Sequence, residues 1–187
     1  MEHIKVVILC GGEGTRLREE TEYKPKPMVT VGGLPILWHI MKIYSHYGFN
    51  DFILCLGYKG EMIKQFFLNH ELMHNDITIK LGQRGREIIH KEDNFEDWSI
   101  TFADTGLRSM TGSRIKKIEK YIDEDNFFVT YGDGLSNHNI NDELAFHLKM
   151  NKIATLTAVH PHSKFGLIKP GKDNLVAEFI EKPVLYD

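Results

Sequence analysis

Three short segments of this 187-residue chain carry residue types suited to phosphate chemistry. The first is Gly11-Gly12-Glu13-Gly14-Thr15-Arg16. Glycines let backbone N–H groups approach phosphate oxygens with no Cβ in the way. Arg16 adds a planar cationic fork for the same kind of ligand. The spacing is not the dinucleotide fingerprint, because Leu17 stands where a third glycine is needed, and no Gly-Lys-Ser/Thr follows to make a Walker A loop. The second segment is Lys24-Pro25-Lys26-Pro27-Met28, in which prolines stiffen the mount of two lysines. A rigidly held lysine can meet developing negative charge. The third is Tyr131-Gly132-Asp133-Gly134, whose carboxylate can hold a Mg²⁺ ion that also touches phosphates. Each has a plainer alternative: a strand-to-helix turn, a solvated Lys-Pro loop and an Asp-Gly turn.

A fourth motif points elsewhere. His70-Glu71-Leu72-Met73-His74 fits the H-E-x-x-H pattern of zinc proteases. Its longer form fails, since Ile77 stands where Gly is wanted and Lys80 where His is wanted. A frayed, polar helix end is the simpler reading. His160 and His162 flank a proline without forming a cluster.

These motifs need elements to position them. Val6-Val7-Ile8-Leu9 is an unbroken apolar run, as expected of a strand buried on both faces of a parallel sheet. Residues 51–57 and 127–132 repeat the pattern of an apolar strand ending in glycine. Helical spacing follows Pro35 and runs to Gly48, recurs over residues 61–72, and returns over residues 115–122 and 141–150, the last with Asn139 or Asn141 as cap. Further strands are expected at residues 77–81, 99–103, 154–159, 167–169 and 176–180, with a loop at 82–86. Strands alternating with helices give an α/β fold with a mainly parallel sheet flanked by helices. In such sheets ligands bind beyond the carboxyl ends of strands, where the first and third motifs stand.

Composition narrows the function. Hydrophobic residues make up 42% of the chain, enough for a sizeable core. Lys and Arg number 23 against 26 acidic residues, giving −3, so the basic excess of a nucleic-acid binder is lacking. No apolar run approaches a membrane span, and residues 4–10 run into glycines rather than a cleavage site. Two cysteines, Cys10 and Cys55, are too few for a disulfide framework and suit a cytoplasmic protein.

Taken together, the motifs bear a resemblance. The segment Gly11 to Leu17 followed by Lys24-Pro25-Lys26-Pro27-Met28 is similar to the signature of the sugar-nucleotide pyrophosphorylases, a nucleotidyltransferase family. Pro35-Ile36-Leu37-Trp38-His39-Ile40-Met41, Gly57-Tyr58-Lys59-Gly60, Asp104-Thr105-Gly106, Met110-Thr111-Gly112, Thr130-Tyr131-Gly132-Asp133-Gly134 and Ala154-Thr155-Leu156-Thr157-Ala158 resemble its cytidylyl branch. Glu181-Lys182-Pro183 is a further family signature.

The resemblance implies a Rossmann-like nucleotidyltransferase fold and Mg²⁺ dependence. It implies conversion of CTP and α-D-glucose 1-phosphate to CDP-glucose and pyrophosphate in a cytoplasmic homo-oligomer that serves lipopolysaccharide synthesis. Leu9, Cys10, Gly11, Gly12, Glu13, Gly14, Thr15 and Arg16 would hold the nucleotide, with Ser109, Arg114 and Gly132 beside it. Arg16, Lys26 and Asp133 would be catalytic, Asp133 as the metal ligand, and Glu181 and Lys182 would face the sugar phosphate. The family chain continues past Glu181-Lys182-Pro183 with a second metal-binding Asp, so residues 1–187 are expected as a single domain without that C-terminal part. Arg108 departs from the family pattern, where a small or polar residue is expected. A transferase of another base or sugar, or a non-catalytic nucleotide-binding subunit, are the competing expectations.

Overall fold

The computed structural model describes residues 4–12, 23–80, 87–90, 96–161, 163–172 and 175–184. Residues 1–138 and 139–187 form two compact units.

The first unit is built on a four-stranded parallel sheet whose strands lie in the spatial order 99–104, 51–56, 6–9 and 128–131. Its strands are β1 (Val6–Leu9), β4 (Asp51–Leu56), β7 (Ser99–Asp104) and β8 (Phe128–Tyr131). Strand β1 is buried throughout, as its continuous apolar run predicts, and pairs with β4 on one side and β8 on the other. From β1 the chain steps through β4 to β7, then returns to the opposite side of β1 for β8. The reversal makes a topological switch point between β1 and β8, where open α/β sheets bind ligands.

Helices cover both faces. Helix α1 (Ile36–His46) and helix α2 (Gly60–His74) pack on the face carrying Phe52, Phe102 and Phe128. Trp38 of α1 stacks on Phe67 and meets Phe66 edge-on, tying the two helices together. On the other face Val7, Leu9, Ile53, Cys55 and Ala103 form a cluster closed by Ile115 and Ile118. Helix α3 (Thr111–Lys117) and a single 3-10 turn (Glu119–Tyr121) supply that lid. The helix expected over residues 115–122 therefore starts earlier and breaks at Ile118, which ends α3 and opens the 3-10 turn. Two antiparallel ribbons complete the unit, β2 (Thr30–Val31) with β3 (Leu34–Pro35), and β5 (Asp76–Ile79) with β6 (Glu87–His90).

The second unit holds helix α4 (Ile140–Met150) and the hairpin of β9 (Leu167–Pro170) with β10 (Val176–Ile180). Asn139 caps α4, its side chain accepting from the N–H groups of Asn141 and Asp142. The strand expected at residues 154–159 is not formed. That segment is held by side chains instead: the Thr155 hydroxyl bonds His147, and Thr157 donates to Glu143, both on α4.

Candidate active site

The backbone just past β1 is shaped by what lies against it. The Arg114 guanidinium occupies the space that a Cβ on Gly11 would need. One Nη donates to the Gly11 carbonyl at 2.9 Å and to that of Leu107 at 3.2 Å. The other donates to the Leu56 carbonyl at 3.0 Å and the Thr105 hydroxyl at 2.7 Å. All four Nη–H groups are thus committed. Arg114 is 5% exposed, and no described carboxylate pairs with it. Neutral carbonyl dipoles hold its charge where three strands, β1, β4 and β7, end.

At the far side of β1, Gly132 follows β8 and donates to the Leu9 carbonyl at 3.1 Å. A Cβ there would stand 2.9 Å from Pro27 Cγ and 3.0 Å from Cys10 Sγ. Pro27 is the buried residue of a 3-10 turn, Lys26–Met28, opened by Pro25 and closed by the Met28 N–H on the Pro25 carbonyl at 2.8 Å. The Lys-Pro segment is therefore a seated turn rather than a solvated loop. Its seat brings Lys26 to Asp133, and the two form an ion pair, both side chains about one-third exposed.

Between these two ends lies a cavity of about 300 Å³. Its lining includes Leu9, Cys10, Gly11, Gly12, Lys26, Ser109, Arg114 and Asp133. Eight residues singled out in the sequence thus converge on one cavity, and Gly132 adjoins it. Glu13, Gly14, Thr15 and Arg16 lie outside the described residues. Glu181 and Lys182 belong to the second unit, exposed just past β10, with Lys182 in the left-handed region at φ 42°. Arg108 is exposed, and nothing in the structure explains its presence.

Four lining residues escaped the sequence reading as site residues: Pro27, Met110, Thr111 and Tyr131. All stand within or beside quoted motifs, so proximity to the motifs was the available signal. Thr105 and Lys117 were missed as well. Their part rests on hydrogen bonds that only the fold brings about.

Burial pushes the Cys10 thiol well above its ordinary value, with Cys55 and Asp133 nearby adding to the effect. Burial likewise raises Cys55 to about 11, against the lowering influence of Arg114. Both thiols stay protonated near neutrality, so neither is poised as a nucleophile. His70 lies between Trp38 and Phe66 with its Nδ1 buried, and His74 Nδ1 bonds the His70 carbonyl at 2.8 Å. The H-E-x-x-H segment therefore caps an aromatic cluster. No three His, Cys, Asp or Glu residues converge as a metal-binding group among the described residues. Mg²⁺ needs less, one or two carboxylates together with substrate phosphates, and Asp133 facing the cavity fits that demand. No described helix is long and apolar enough to cross a membrane.

Comparison with known proteins gives this geometry a context. The profile of the nucleotidyl transferase family matches residues 5–187. Glucose-1-phosphate cytidylyltransferase of Salmonella typhimurium is 49% identical over 183 residues, covering 96% of this chain and 69% of that protein. Mannose-1-phosphate guanyltransferase of Pichia angusta is 32% identical over 189 residues, covering 98% of this chain and 46% of that protein. Among solved structures, HddC from Yersinia pseudotuberculosis complexed with GMP-PN superposes with a TM-score of 0.59. It is 24% identical across 96% of this chain and 69% of that one, and the likeness shows the α/β fold.

Proposed function

Because the chain belongs to the nucleotidyl transferase family, we propose that it transfers the cytidylyl group of CTP to α-D-glucose 1-phosphate, giving CDP-glucose and pyrophosphate. The observation that carries the choice of base and sugar is the 49% identity to a glucose-1-phosphate cytidylyltransferase, against 32% to a guanyltransferase of mannose 1-phosphate. The same reading makes the protein a cytoplasmic homo-oligomer supplying sugar nucleotide for lipopolysaccharide.

The chemistry fits the residues at hand. A phosphate oxygen of the sugar 1-phosphate attacks the α-phosphorus of CTP, a new P–O bond forms, and the bond to the β-phosphate oxygen breaks. The nucleophile is already an anion at neutral pH, so no general base is required. What the reaction needs is alignment and positive charge against two approaching anions.

Lys26, mounted on its proline-framed turn, supplies one such charge at the reacting phosphates. Arg16 supplies a second in this reading. A Mg²⁺ ion, when bound, neutralises charge on the triphosphate, and Asp133 would hold it. The Lys26–Asp133 pair keeps both groups partly compensated until the triphosphate arrives. The backbone of Leu9 to Arg16 cradles the nucleotide, with Gly132 and Ser109 beside it. Arg114 was expected to touch the nucleotide directly. It lines the cavity, and with its Nη–H groups committed it also holds the Gly11 carbonyl from behind. Glu181 and Lys182 would bind the sugar phosphate.

Pyrophosphate release measured with each of the four nucleoside triphosphates, α-D-glucose 1-phosphate and Mg²⁺ tests the proposal. Turnover is expected with CTP. Equal turnover with UTP or GTP, or none with CTP while another triphosphate reacts, contradicts it.

A further inference from the structure

Helix α2 ends with His70 and His74 one turn apart, and residues four apart share a helix face. Their ring centres stand 4.2 Å apart, the planes tilted by 37°. What each ring can offer follows from its partners. His74 Nδ1 bonds the His70 carbonyl at 2.8 Å. A carbonyl only accepts, so Nδ1 carries the proton of the neutral ring and Nε2 keeps its lone pair. Metal-ligating histidines are commonly held in this way, by a carbonyl on the other ring nitrogen. His70 Nδ1 is buried against Trp38 and Phe66, so Nε2 is the nitrogen of that ring left to meet an ion.

Charge and spacing favour a cation at this place. A helix C-terminus carries partial negative charge. Burial, with His74 beside it, keeps the His70 ring neutral near neutrality, and Glu71 and Glu96 add negative charge nearby. Neutral imidazole is the form that ligates metal. Two imidazoles meeting one ion at a right angle, with metal–nitrogen bonds of about 2.0–2.1 Å, hold their ring centres roughly 4.5 Å apart. The observed 4.2 Å is close to that spacing, and His74 is exposed and able to adjust. A right angle suits the tetragonal preference of Cu²⁺ and Ni²⁺ better than the tetrahedral preference of Zn²⁺.

We propose that His70 and His74 form a bidentate site for a divalent late transition metal, Cu²⁺ above all, with water at the remaining positions. The site is not a zinc-protease centre. A catalytic zinc takes three protein ligands, and among the described residues no third His, Cys, Asp or Glu converges on the pair. Neither histidine lines the cavity of Lys26 and Asp133, so the inference stands apart from the transferase reading.

The test is calorimetric titration of the full chain with CuCl₂ in excess Mg²⁺, together with the electron paramagnetic resonance spectrum of protein loaded with one equivalent of Cu²⁺. The chain has 10 histidines, so variants are needed to assign the site. His74→Ala removes an exposed ligand and leaves the aromatic cluster intact, whereas His70→Phe keeps the ring contacts and removes the other ligand. Each is expected to weaken the tightest Cu²⁺ step at least about tenfold, because a second ligand on the same helix face acts at high effective concentration. The wild-type spectrum is expected to show coupling to two imidazole nitrogens, a pattern lost in both variants. Neither readout involves a nucleotide, so failure here is distinct from failure of the cytidylyl reading. Cu²⁺ affinity in His74→Ala equal to that of wild type overturns the site, and so does a wild-type spectrum without two-nitrogen coupling.

Discussion

Arg114 and Gly11 share one volume: the guanidinium of the first lies where a side chain on the second would begin, and donates to the Gly11 carbonyl at 2.9 Å. The glycine is required by packing, independently of any phosphate. Adding a Cβ at Gly11 must displace a buried cation whose other bonds go to the ends of β4 and β7. Gly11→Ala is expected to destabilise the fold by about 1–3 kcal/mol, the usual cost of overpacking a filled interior. Gly12, beside which a Cβ meets nothing within 4 Å, is the control. Thermal melting of Gly11→Ala and Gly12→Ala checks this. Equal melting temperatures for the two variants would show that Arg114 can move aside without cost.

Lys26 is the described cation that faces both the cavity and Asp133. In the proposed reaction its role is electrostatic, and a positioned charge of this kind is worth about 3–4 kcal/mol in a transition state, or two to three decades in rate. Lys26→Ala is expected to lower kcat/KM for CTP at least tenfold with the fold retained, since the side chain is about one-third exposed and its loss opens no core cavity. Steady-state pyrophosphate release alongside circular dichroism measures both. Undiminished turnover removes Lys26 from the mechanism.

Asp133 is expected to act through the metal. Asp133→Asn keeps the size of the side chain and removes its charge, so the Mg²⁺ concentration for half-maximal activity should rise, while melting without Mg²⁺ changes little. The two variants also differ in sign at the ion pair. Lys26→Ala leaves a bare carboxylate, which on the proposed reading would still take the metal, whereas Asp133→Asn leaves a bare ammonium. A Mg²⁺ titration identical to wild type in Asp133→Asn refutes the ligand assignment.

The parts of the site that were legible in the sequence are those with local causes. Strand β1 is an unbroken apolar run because it is buried on both faces, and the glycines after β1 and β8 mark places where backbone or side chains come close. The Lys-Pro turn could be read as stiff, although nothing local tells that Pro27 seats on Gly132. What was illegible depends on partners far away in sequence. An arginine at position 114 reads as a ligand contact, and nothing local tells that its four Nη bonds also reach Gly11, Leu56, Thr105 and Leu107. Residues 154–159 have the composition of a strand, but their fixed contacts are side-chain bonds to α4. One local signal was passed over. Gly32 and Gly33, both at positive φ, make the two-residue turn between β2 and β3, just ahead of the helix that Pro35 introduces.

His70 gives the fold a pH dependence whose sign can be worked out. Burial holds its imidazole below the ordinary value of 6.5, and neighbouring His74 adds to this, while Glu71 and Glu96 oppose it. Its ring lies 4.3 Å from that of Trp38 and 5.2 Å from that of Phe66, and its Nδ1 is buried with no hydrogen-bond partner among the described residues, so the neutral form suits the site. In the unfolded chain the same imidazole takes up a proton as pH falls through 6.5, whereas in the folded chain it resists to lower pH. Between those two values unfolding binds a proton, so stability falls as pH falls. The contribution is complete above 6.5 and lost as pH drops through the folded value. Melting temperature is therefore expected to decline from pH 7 toward pH 5.5. His70→Phe, which keeps the ring contacts and removes the proton site, should flatten that decline. The same slope in wild type and His70→Phe would assign the acid sensitivity to other groups.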